Sequence, residues 1–311
     1  AIDSTYMYIA GFDTSGGDNQ WHLEKRNLSD GALVTAFDTD GIVTTDPSTG
    51  SDQILAIAVN ATHVFVAGFD NVPGNNQWRI EKRDIGTGAL VTAFDTDGII
   101  QFNPAADIDQ ITAIALDASA VYVAGFEDDD TGVWRIHKYD ITTGALVTAF
   151  DTDGIITETL LAGAGNERIQ AMAVDATYLY VAGFDILAGA GEWRIEKRNL
   201  SDGALVSAFD TDGIVNSDPS INADAIYAMA IDSAYIYVAG YDGVVASTNF
   251  QWRIEKRDIT TGALVTAFDT DGIIQVNPAA DSEWVTTLDT DASYLYVGGF
   301  VDDDAGTWRA E

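Results

Sequence analysis

The sequence predicts an all-β protein, a β-propeller most simply built from six four-stranded blades. The phrase W-R-I-E-K-R, or a close variant, recurs six times at intervals of 56 to 59 residues. Each interval holds short runs of β-branched and aromatic residues between Gly-, Pro- and Asp-containing turns, a pattern typical of strands. Units of roughly 50 to 60 residues with four short strands are typical of propeller blades. The repeated tryptophans are Trp21, Trp78, Trp134, Trp193, Trp252 and Trp308.

The second repeat shows the expected strands, which we label A to D. Gln53–Val59 is a nearly continuous apolar run, as expected of an innermost strand A buried on both faces. His63–Phe69 is rich in β-branched and aromatic residues and predicts strand B. Gln77–Arg83 alternates, with its Trp, Ile and Lys on one face and its Arg and Glu residues on the other, which predicts strand C. Ala89–Phe94 alternates again and predicts strand D, before an Asp-Thr-Asp-Gly turn.

The chain is expected to form one domain, 1–311, whose last blade is incomplete. Its blades would span approximately 1–49, 50–107, 108–165, 166–222, 223–281 and 282–311. The first blade has only a remnant of strand A, Ala1–Asp3, and the last has no D segment. The D segments end at Phe37, Phe94, Phe150, Phe209 and Phe268. Distant sequence, the N-terminus or a neighbouring molecule could complete the last blade.

The six repeats fall into two matching groups of three. The first and fourth share R-N-L-S-D-G-A-L-V, the second and fifth share N-P-A-A-D, and the third and sixth share a D-D-D loop. This pattern predicts a duplicated three-blade half and pseudo-twofold symmetry. The alternative is that the three-blade unit belongs to a longer array, of which this chain is an excerpt.

The composition limits the classes of partner that the chain is expected to bind. The 311-residue chain has 15 Lys and Arg against 49 Asp and Glu, a net charge of −34. Such a chain is not expected to bind nucleic acid, because phosphate binding needs clustered cations. No apolar run is long enough for a membrane helix, so membrane insertion is not expected. The absence of cysteine excludes disulfides and thiolate metal sites.

The phrases V-Y-V-A-G-F, A-I-A-V-D and W-R-I-E-K-R-D-I-T-T-G-A-L-V-T-A-F-D-T-D-G-I resemble the delta-sixty repeat, a β-propeller family of unknown function. The general pattern of strands and turns in the repeats also resembles, less closely, propellers of the NHL and YVTN types. The resemblance extends over the whole chain. It implies a propeller in an extracellular or cell-surface setting, and it implies no activity and no catalytic residues.

The Asp-Thr-Asp-Gly turn is the main candidate metal site. Two carboxylates two residues apart, followed by glycine, resemble the start of a calcium loop, so calcium is the candidate cofactor. The turn lacks the distal bidentate Glu of an EF-hand. It can equally be a tight turn, or its carboxylates can pair with strand C cations. The candidate ligands are Asp38, Asp40, Asp95, Asp97, Asp151, Asp153, Asp210, Asp212, Asp269 and Asp271.

Large apolar residues at individual, non-repeated positions are candidates for partner contact. Exposed apolar residues in loops can mark interaction sites, and they can equally pack onto the blade below. Trp284 and Phe250 are also candidates for a sugar site, where exposed aromatics are needed. The full set is Trp284, Phe250, Leu160, Leu161, Ile186 and Leu187.

Two further groups of polar residues have candidate roles. One acidic or amide residue follows each strand A and predicts either a turn or a carboxylate ring that attracts cations. These residues are Asp3, Asn60, Asp117, Asp175, Asp232 and Asp289. The three histidines, His22, His63 and His137, fall at non-equivalent positions and are expected to be separate, partly exposed strand residues. No set of residues supports nucleophilic or glycosidase chemistry, so an enzyme is not expected.

The sequence therefore predicts a non-enzymatic extracellular propeller that serves as an interaction or structural module in a surface, sheath or filament assembly. Divalent cations would assist by bridging acidic faces. The alternative is a propeller that binds carbohydrate or peptide. Partners are thus proteins, including further copies of the chain, or glycans.

Overall fold

The structure, a computed structural model, describes residues 1–72, 75–103, 108–128, 133–159, 167–187, 190–245, 249–277, 282–301 and 307–310. These residues form antiparallel β-sheets and no helix. They therefore contain no helix that is long and apolar enough to cross a membrane. The chain divides into two compact units, Ala1–Thr159 and Leu160–Glu311.

The first unit contains three antiparallel sheets with their strands in chain order. Sheet 1 has three strands, and sheets 2 and 3 have four each. The strands of sheet 1 are β1 (Tyr6–Asp13), β2 (Gln20–Asn27) and β3 (Ile42–Thr45); those of sheet 2 are β4 (Gln53–Val59), β5 (His63–Asn71), β6 (Asn76–Asp84) and β7 (Ile99–Phe102); those of sheet 3 are β8 (Ile108–Leu116), β9 (Ala120–Asp128), β10 (Val133–Asp140) and β11 (Ile155–Thr159).

The second unit also contains three antiparallel sheets, but here two four-stranded sheets come first and a sheet of three strands comes last. Sheet 4 comprises β12 (Arg168–Val174), β13 (Tyr178–Leu187), β14 (Ala190–Asn199) and β15 (Ile214–Ser217); sheet 5 comprises β16 (Ala225–Ile231), β17 (Tyr235–Val245), β18 (Asn249–Asp258) and β19 (Ile273–Val276); sheet 6 comprises β20 (Glu283–Thr290), β21 (Leu295–Val301) and β22 (Thr307–Ala310).

The prediction of strand D was wrong in position. Ala89–Phe94 is not a strand: Leu90 makes an isolated bridge to Arg83, and the chain then turns so that Phe94 enters the core with no exposed surface. The outer strand is β7, which follows the Asp-Thr-Asp-Gly turn and pairs with β6 from Glu81↔Ile99 to Trp78↔Phe102. The short alternating segment before the Asp-Thr-Asp-Gly turn resembles a strand in sequence, but its apolar residues pack in a buried turn.

The apolar core of each unit lies between neighbouring sheets. In the first unit, one cluster joins Trp78 and Phe94 of sheet 2 to Ile111 and Val123 of sheet 3. In the second, Trp252 of sheet 5 packs with Val285 and other residues of sheet 6. The repeated tryptophans whose side chains are described are at most 1% exposed. They are Trp21, Trp78, Trp134, Trp193 and Trp252.

Candidate functional site

At three junctions between neighbouring sheets, a lysine on strand C of one sheet binds the backbone of the next sheet. The Nζ atoms of Lys25, Lys82 and Lys197 donate to the backbone carbonyls of Ile85, Ile141 and Ile259 at 2.6–2.7 Å. Each acceptor lies in the turn after strand C of the following sheet. Burial lowers the pKa of all three lysines. The same isoleucines donate their N–H to the turn between strands A and B of their own sheet, at Thr62, Ser119 and Ala234.

Aromatic rings surround these lysines. Lys197 Nζ lies 4.1 Å from the ring centroid of Tyr178 and 5.4 Å from that of Tyr180. The ring of Phe209 lies 5.9 Å away. An ammonium group over aromatic faces is held by their quadrupoles, so the rings and the carbonyl together satisfy the buried charge. At each such junction the lysine and the aromatic rings therefore form a small socket, and one turn of the next sheet fills it.

The tryptophan of strand C makes a second link across two of these three junctions. Trp21 Nε1 donates to the Phe69 carbonyl at 3.0 Å, and Trp193 Nε1 donates to the Tyr241 carbonyl at 3.1 Å. Each acceptor is in strand B of the following sheet. The indole thus buries its surface and satisfies its single donor at once.

The other face of strand C carries a buried ion network. In sheet 2, Arg79 and Arg83 donate to the two carboxylate oxygens of Glu81, which is 1% exposed. Arg79 also reaches Asp70 at 3.2 Å. In the equivalent network of sheet 4, burial alone would raise the pKa of Glu196, but Arg198 and Arg194 outweigh it and hold the pKa below its ordinary value. The alternation of faces predicted for strand C is confirmed; the burial of its charged face was not predicted.

Sheet 3 replaces this network with His137 and Tyr139. His137 is fully buried, which differs from the expected partial exposure, and its ring centroid lies 4.8 Å from Trp78 and 4.6 Å from Phe102. Burial lowers its pKa to about 3, so the imidazole is neutral at ordinary pH. The described residues contain no group of three His, Asp or Glu side chains arranged to hold a metal.

The acidic residues after strand A form turns. In sheet 4, one oxygen of Asp175 accepts the N–H groups of Thr177 and Tyr178, and the other accepts the hydroxyl of Tyr180 at 2.8 Å. Asp3, Asn60, Asp117 and Asp232 accept the same two backbone bonds. The choice of Asp289 in sheet 6 was wrong, because Asp291 makes the equivalent bonds to Ser293, Tyr294 and Tyr296.

The Asp-Thr-Asp-Gly turns place their two carboxylates in different roles. The first aspartate has a positive φ of 53° at Asp38, and its N–H donates to the Thr87 carbonyl of the next sheet. The second, Asp40, accepts the N–H of Ile42 at 2.9 Å and thereby starts the outer strand. The equivalent acceptors Asp97, Asp153, Asp212 and Asp271 make the same bond. These bonds are those of a tight turn, and calcium binding there stays a prediction.

The apolar candidates lie mostly in strands and not in loops. Ile186 belongs to β13, which extends to Leu187 because Leu187 pairs with Ala190 in a longer hairpin than expected. Phe250 belongs to β18 and packs against Tyr241, with the ring centroids 4.5 Å apart. Trp284 belongs to β20, partly buried against Phe300 at 4.9 Å. Leu160 and Leu161 lie outside the described residues.

A set of buried carboxylates was missed by the sequence analysis. Each of these carboxylates lies at or beside the start of a strand A and has no exposed surface. In the sequence, an acidic residue recurs two positions before an Ile or Val, and this pattern could have indicated the set. Asp224 accepts bonds from Ser220 and from the Gly243 N–H, tying the preceding loop to strand B. Burial raises its pKa to about 6, against these hydrogen bonds. The set is Asp52, Asp109, Glu167, Asp224 and Glu283.

Sheet 6 presents aromatic side chains that the other sheets cover. Tyr296 is 51% exposed and Tyr294 is 68% exposed. The residues equivalent to Tyr296 are at most 7% exposed in the other sheets that have tyrosine there, namely Tyr8, Tyr122, Tyr180 and Tyr237. In those sheets the Nζ of a strand C lysine lies 5.1–5.4 Å from the ring centroid. In three of them the phenylalanine before the Asp-Thr-Asp-Gly turn meets the ring edge-on. The positions equivalent to this lysine and phenylalanine would come after Glu311.

A cavity of about 360 Å³ opens beside these tyrosines. Its walls are Lys256, Tyr235, Tyr237 and Phe268 of sheet 5 and the A–B turn of sheet 6, 291–294. Lys256 Nζ lies 3.8 Å from the ring centroid of Tyr235, as in the filled sockets. Among the described residues, no carbonyl accepts a hydrogen bond from it. We call this cavity the Lys256 socket.

Comparison with known proteins supports the fold and adds no family. No protein-family model matches the sequence, and no curated protein matches it, so membership of the delta-sixty-repeat family is not confirmed. Crystal structures of Sqt1 from Chaetomium thermophilum are similar in fold. One aligns with a TM-score of 0.50 at 12% identity, covering 98% of this chain and 65% of that chain. Another, bound to the N-terminus of the ribosomal protein L10, aligns with a TM-score of 0.49 at 12% identity, covering 98% and 68%.

The chain thus spans 65% of the length of the first of these structures. At this identity the likeness concerns the fold alone. Together with the repeated antiparallel sheets, it defines a β-propeller-type protein.

Proposed function

We propose that the chain is a non-enzymatic propeller module that binds a polypeptide partner. The observation that carries this proposal is that the non-repeated aromatic residues Phe250 and Trp284 are only partly buried in strands of sheets 5 and 6. Aromatic residues are enriched in protein interfaces and often dominate their binding energy.

The proposal includes a single domain of six blades with a three-plus-three duplication. Six antiparallel sheets in the described residues and the matching loop phrases support it. An extracellular or cell-surface location, a role in a sheath or filament, and assistance by calcium are the finer parts of the proposal. The net charge of −34 supports them, because acidic surfaces attract divalent cations.

A peptide-selection experiment tests the binding role. Displayed random peptides are selected on the whole chain, and the selected peptides are measured on Phe250→Ala, Trp284→Ala and the control Leu28→Ser. Leu28 is 45% exposed and lies in the turn after strand C of sheet 1. We expect selected peptides to lose at least tenfold in affinity on the two aromatic variants and to be unaffected by the control. Peptides that bind all variants equally would contradict the proposal.

A further inference from the structure

The loop that joins sheets 4 and 5, residues 218–224, presents an isoleucine to solvent. Ile221 is 93% exposed, and both flanking sheets have four strands, so an incomplete sheet does not account for the exposure. Single exposed apolar residues are common on protein surfaces and need no explanation. Ile221 differs from such residues because its backbone is fixed and because other non-repeated apolar residues lie beside it.

Hydrogen bonds fix this loop on strand β17. The buried Asp224 accepts the N–H and the hydroxyl of Ser220, and it also accepts the N–H of Gly243. Asn222 donates its N–H to the Ser220 hydroxyl oxygen at 3.0 Å and its side-chain Nδ2 to the Gly243 carbonyl at 2.9 Å. The residues on both sides of Ile221 are therefore held, and a partner that binds Ile221 does not have to order the loop.

Val244 and Phe250 adjoin the loop through Gly243. Gly243 pairs with Phe250 between β17 and β18, and it precedes Val244, which is 42% exposed. Gly243 also packs closely against the loop, since a Cβ atom added to it would lie 2.5 Å from the Asn222 Cβ. Ile221, Val244 and Phe250 thus lie around one glycine, and we call these three residues the Ile221 patch.

The corresponding loop of the first unit has the same framework with polar residues. D-P-S-T-G-S-D at 46–52 matches D-P-S-I-N-A-D of the sheet 5 loop, with the same two serine-to-aspartate bonds. Thr49 takes the place of Ile221, and Asn76 takes the place of Phe250. Because the framework forms with polar residues at these positions, folding of the loop does not explain the apolar residues of the Ile221 patch.

The edge of the Ile221 patch is acidic. The Gly191 carbonyl of sheet 4 accepts an N–H from the loop at 3.0 Å, which places Glu192 beside it. Burial raises the pKa of Glu192, and the negative charges of Asp185 and Asp218 raise it further. At the position of Glu192, sheet 1 has the uncharged Gln20. A positive group on a partner would relieve the repulsion among these carboxylates, which is charge complementarity of the kind found at protein interfaces.

We propose that the Ile221 patch binds a polypeptide segment in which a large aliphatic or aromatic residue is flanked by lysine or arginine. The apolar residue packs against Ile221, Val244 and Phe250, and the basic residue pairs with Glu192 and Asp218. The apolar contact anchors the segment, and the charges speed its association and set its direction. This inference rests on the proposed function and names the chemistry of the partner.

The first test concerns the apolar anchor. Short random peptides are selected on the full chain, and we expect them to carry Lys or Arg next to a large apolar residue or one residue away from it. Fluorescence anisotropy then measures their affinity for Ile221→Thr, which copies the residue at Thr49, and for the matched control Thr49→Ser. We expect a loss of about tenfold or more with Ile221→Thr and no change with the control. Both positions are exposed, so thermal melts should match that of the wild type.

The second test concerns the acidic edge. Glu192→Gln copies the residue at Gln20, and we expect it to weaken binding about threefold to tenfold in dilute buffer. At about 1 M salt, where the Debye length is about 3 Å, wild type and Glu192→Gln should bind the peptides equally.

Selected peptides without basic residues, or affinities that neither Ile221→Thr nor Glu192→Gln lowers, would overturn the inference. If such peptides still lost affinity on Phe250→Ala or Trp284→Ala, the inference would fail and the binding role would stand. If the selection yielded no peptide that binds, both would fail.

Discussion

Charged residues on strand C contribute to stability from inside the protein. Glu81 is buried between Arg79 and Arg83, and the same triad recurs in sheets 4 and 5. The sequence showed the alternation but not the burial, because a run of alternating charges is as typical of a solvated strand face. Burial depends on the neighbouring sheet, which local sequence does not show.

Removal of Glu81 should be strongly destabilising. Glu81→Ala leaves two guanidinium groups buried without their carboxylate, and breaking such a pair costs about 3–5 kcal/mol. Urea unfolding of the full chain measures the change. The control Thr96→Ala changes an exposed turn residue and should shift the midpoint little. Equal midpoints for the two variants would show that the triad contributes nothing to stability.

Asp224 should make stability depend on pH. Its pKa is raised from 3.8 to about 6, so between these values the folded state holds a proton that the unfolded state has lost. Stability from this group therefore falls as pH rises through that window, by about 3 kcal/mol for two pKa units. Asp224→Asn should remove this slope, and the exposed control Asp46→Asn should keep it. Parallel stability–pH curves for wild type and Asp224→Asn would refute the assignment.

Strands A to C could be predicted from the sequence, and strand D could not. β4 has the predicted bounds, and β5 and β6 extend the predicted ranges by one or two residues at their ends. The runs of residues in strands A to C are long enough for their periodicity and composition to indicate a strand. The D region is short, and whether Ala89–Phe94 or Ile99–Phe102 pairs with strand C depends on a turn that buries Phe94. Phe94 therefore looked like the end of a strand.

Strand B contains a glycine that the close approach of strand A requires. A Cβ atom at Gly125 would lie 1.9 Å from the Gln110 carbonyl oxygen, beside the irregular pairing between β8 and β9. Gly68, Gly183 and Gly240 are equally close to the backbone of strand A, at 1.9–2.0 Å. In the described part of sheet 1, a Cβ at the equivalent position, Gly11, would meet nothing within 4 Å.

Gly11 and Gly125 therefore form a matched pair. Gly125→Ala should force the strands apart and destabilise the chain by at least about 2 kcal/mol, as overpacking does. Gly11→Ala should be neutral within about 0.5 kcal/mol or slightly stabilising, because alanine restricts the unfolded chain. Denaturant unfolding of both variants measures the difference. A loss of stability at Gly11 equal to that at Gly125 would contradict the role assigned to strand A.

At the scale of the whole molecule, the order of the sheets follows the order of the repeats. The sequence predicted six repeats in two groups of three, and the described residues form six antiparallel sheets. The sequence did not predict the sockets of lysine and aromatic rings between neighbouring sheets, because each depends on which residue of a following turn covers which ring.

The acidic surface gives a prediction about assembly. If calcium bridges the Asp-Thr-Asp-Gly turns of neighbouring molecules, light scattering should show a larger mass with calcium than with a chelator. Replacing the first aspartates of the turns with Asn, at Asp38, Asp95 and Asp151, should reduce that increase while sparing the acceptors that start the outer strands. The same mass in calcium and chelator would remove calcium from the account.

The most direct test of the central claim, that a polypeptide binds beside Phe250 and Trp284, is amide hydrogen exchange of the full chain with and without a selected peptide. Bound peptide should slow exchange in the strands that contain Phe250 and Trp284, and leave the first unit, Ala1–Thr159, unchanged. Protection confined to the first unit, or absent from these two strands, would contradict the claim and move the binding surface elsewhere.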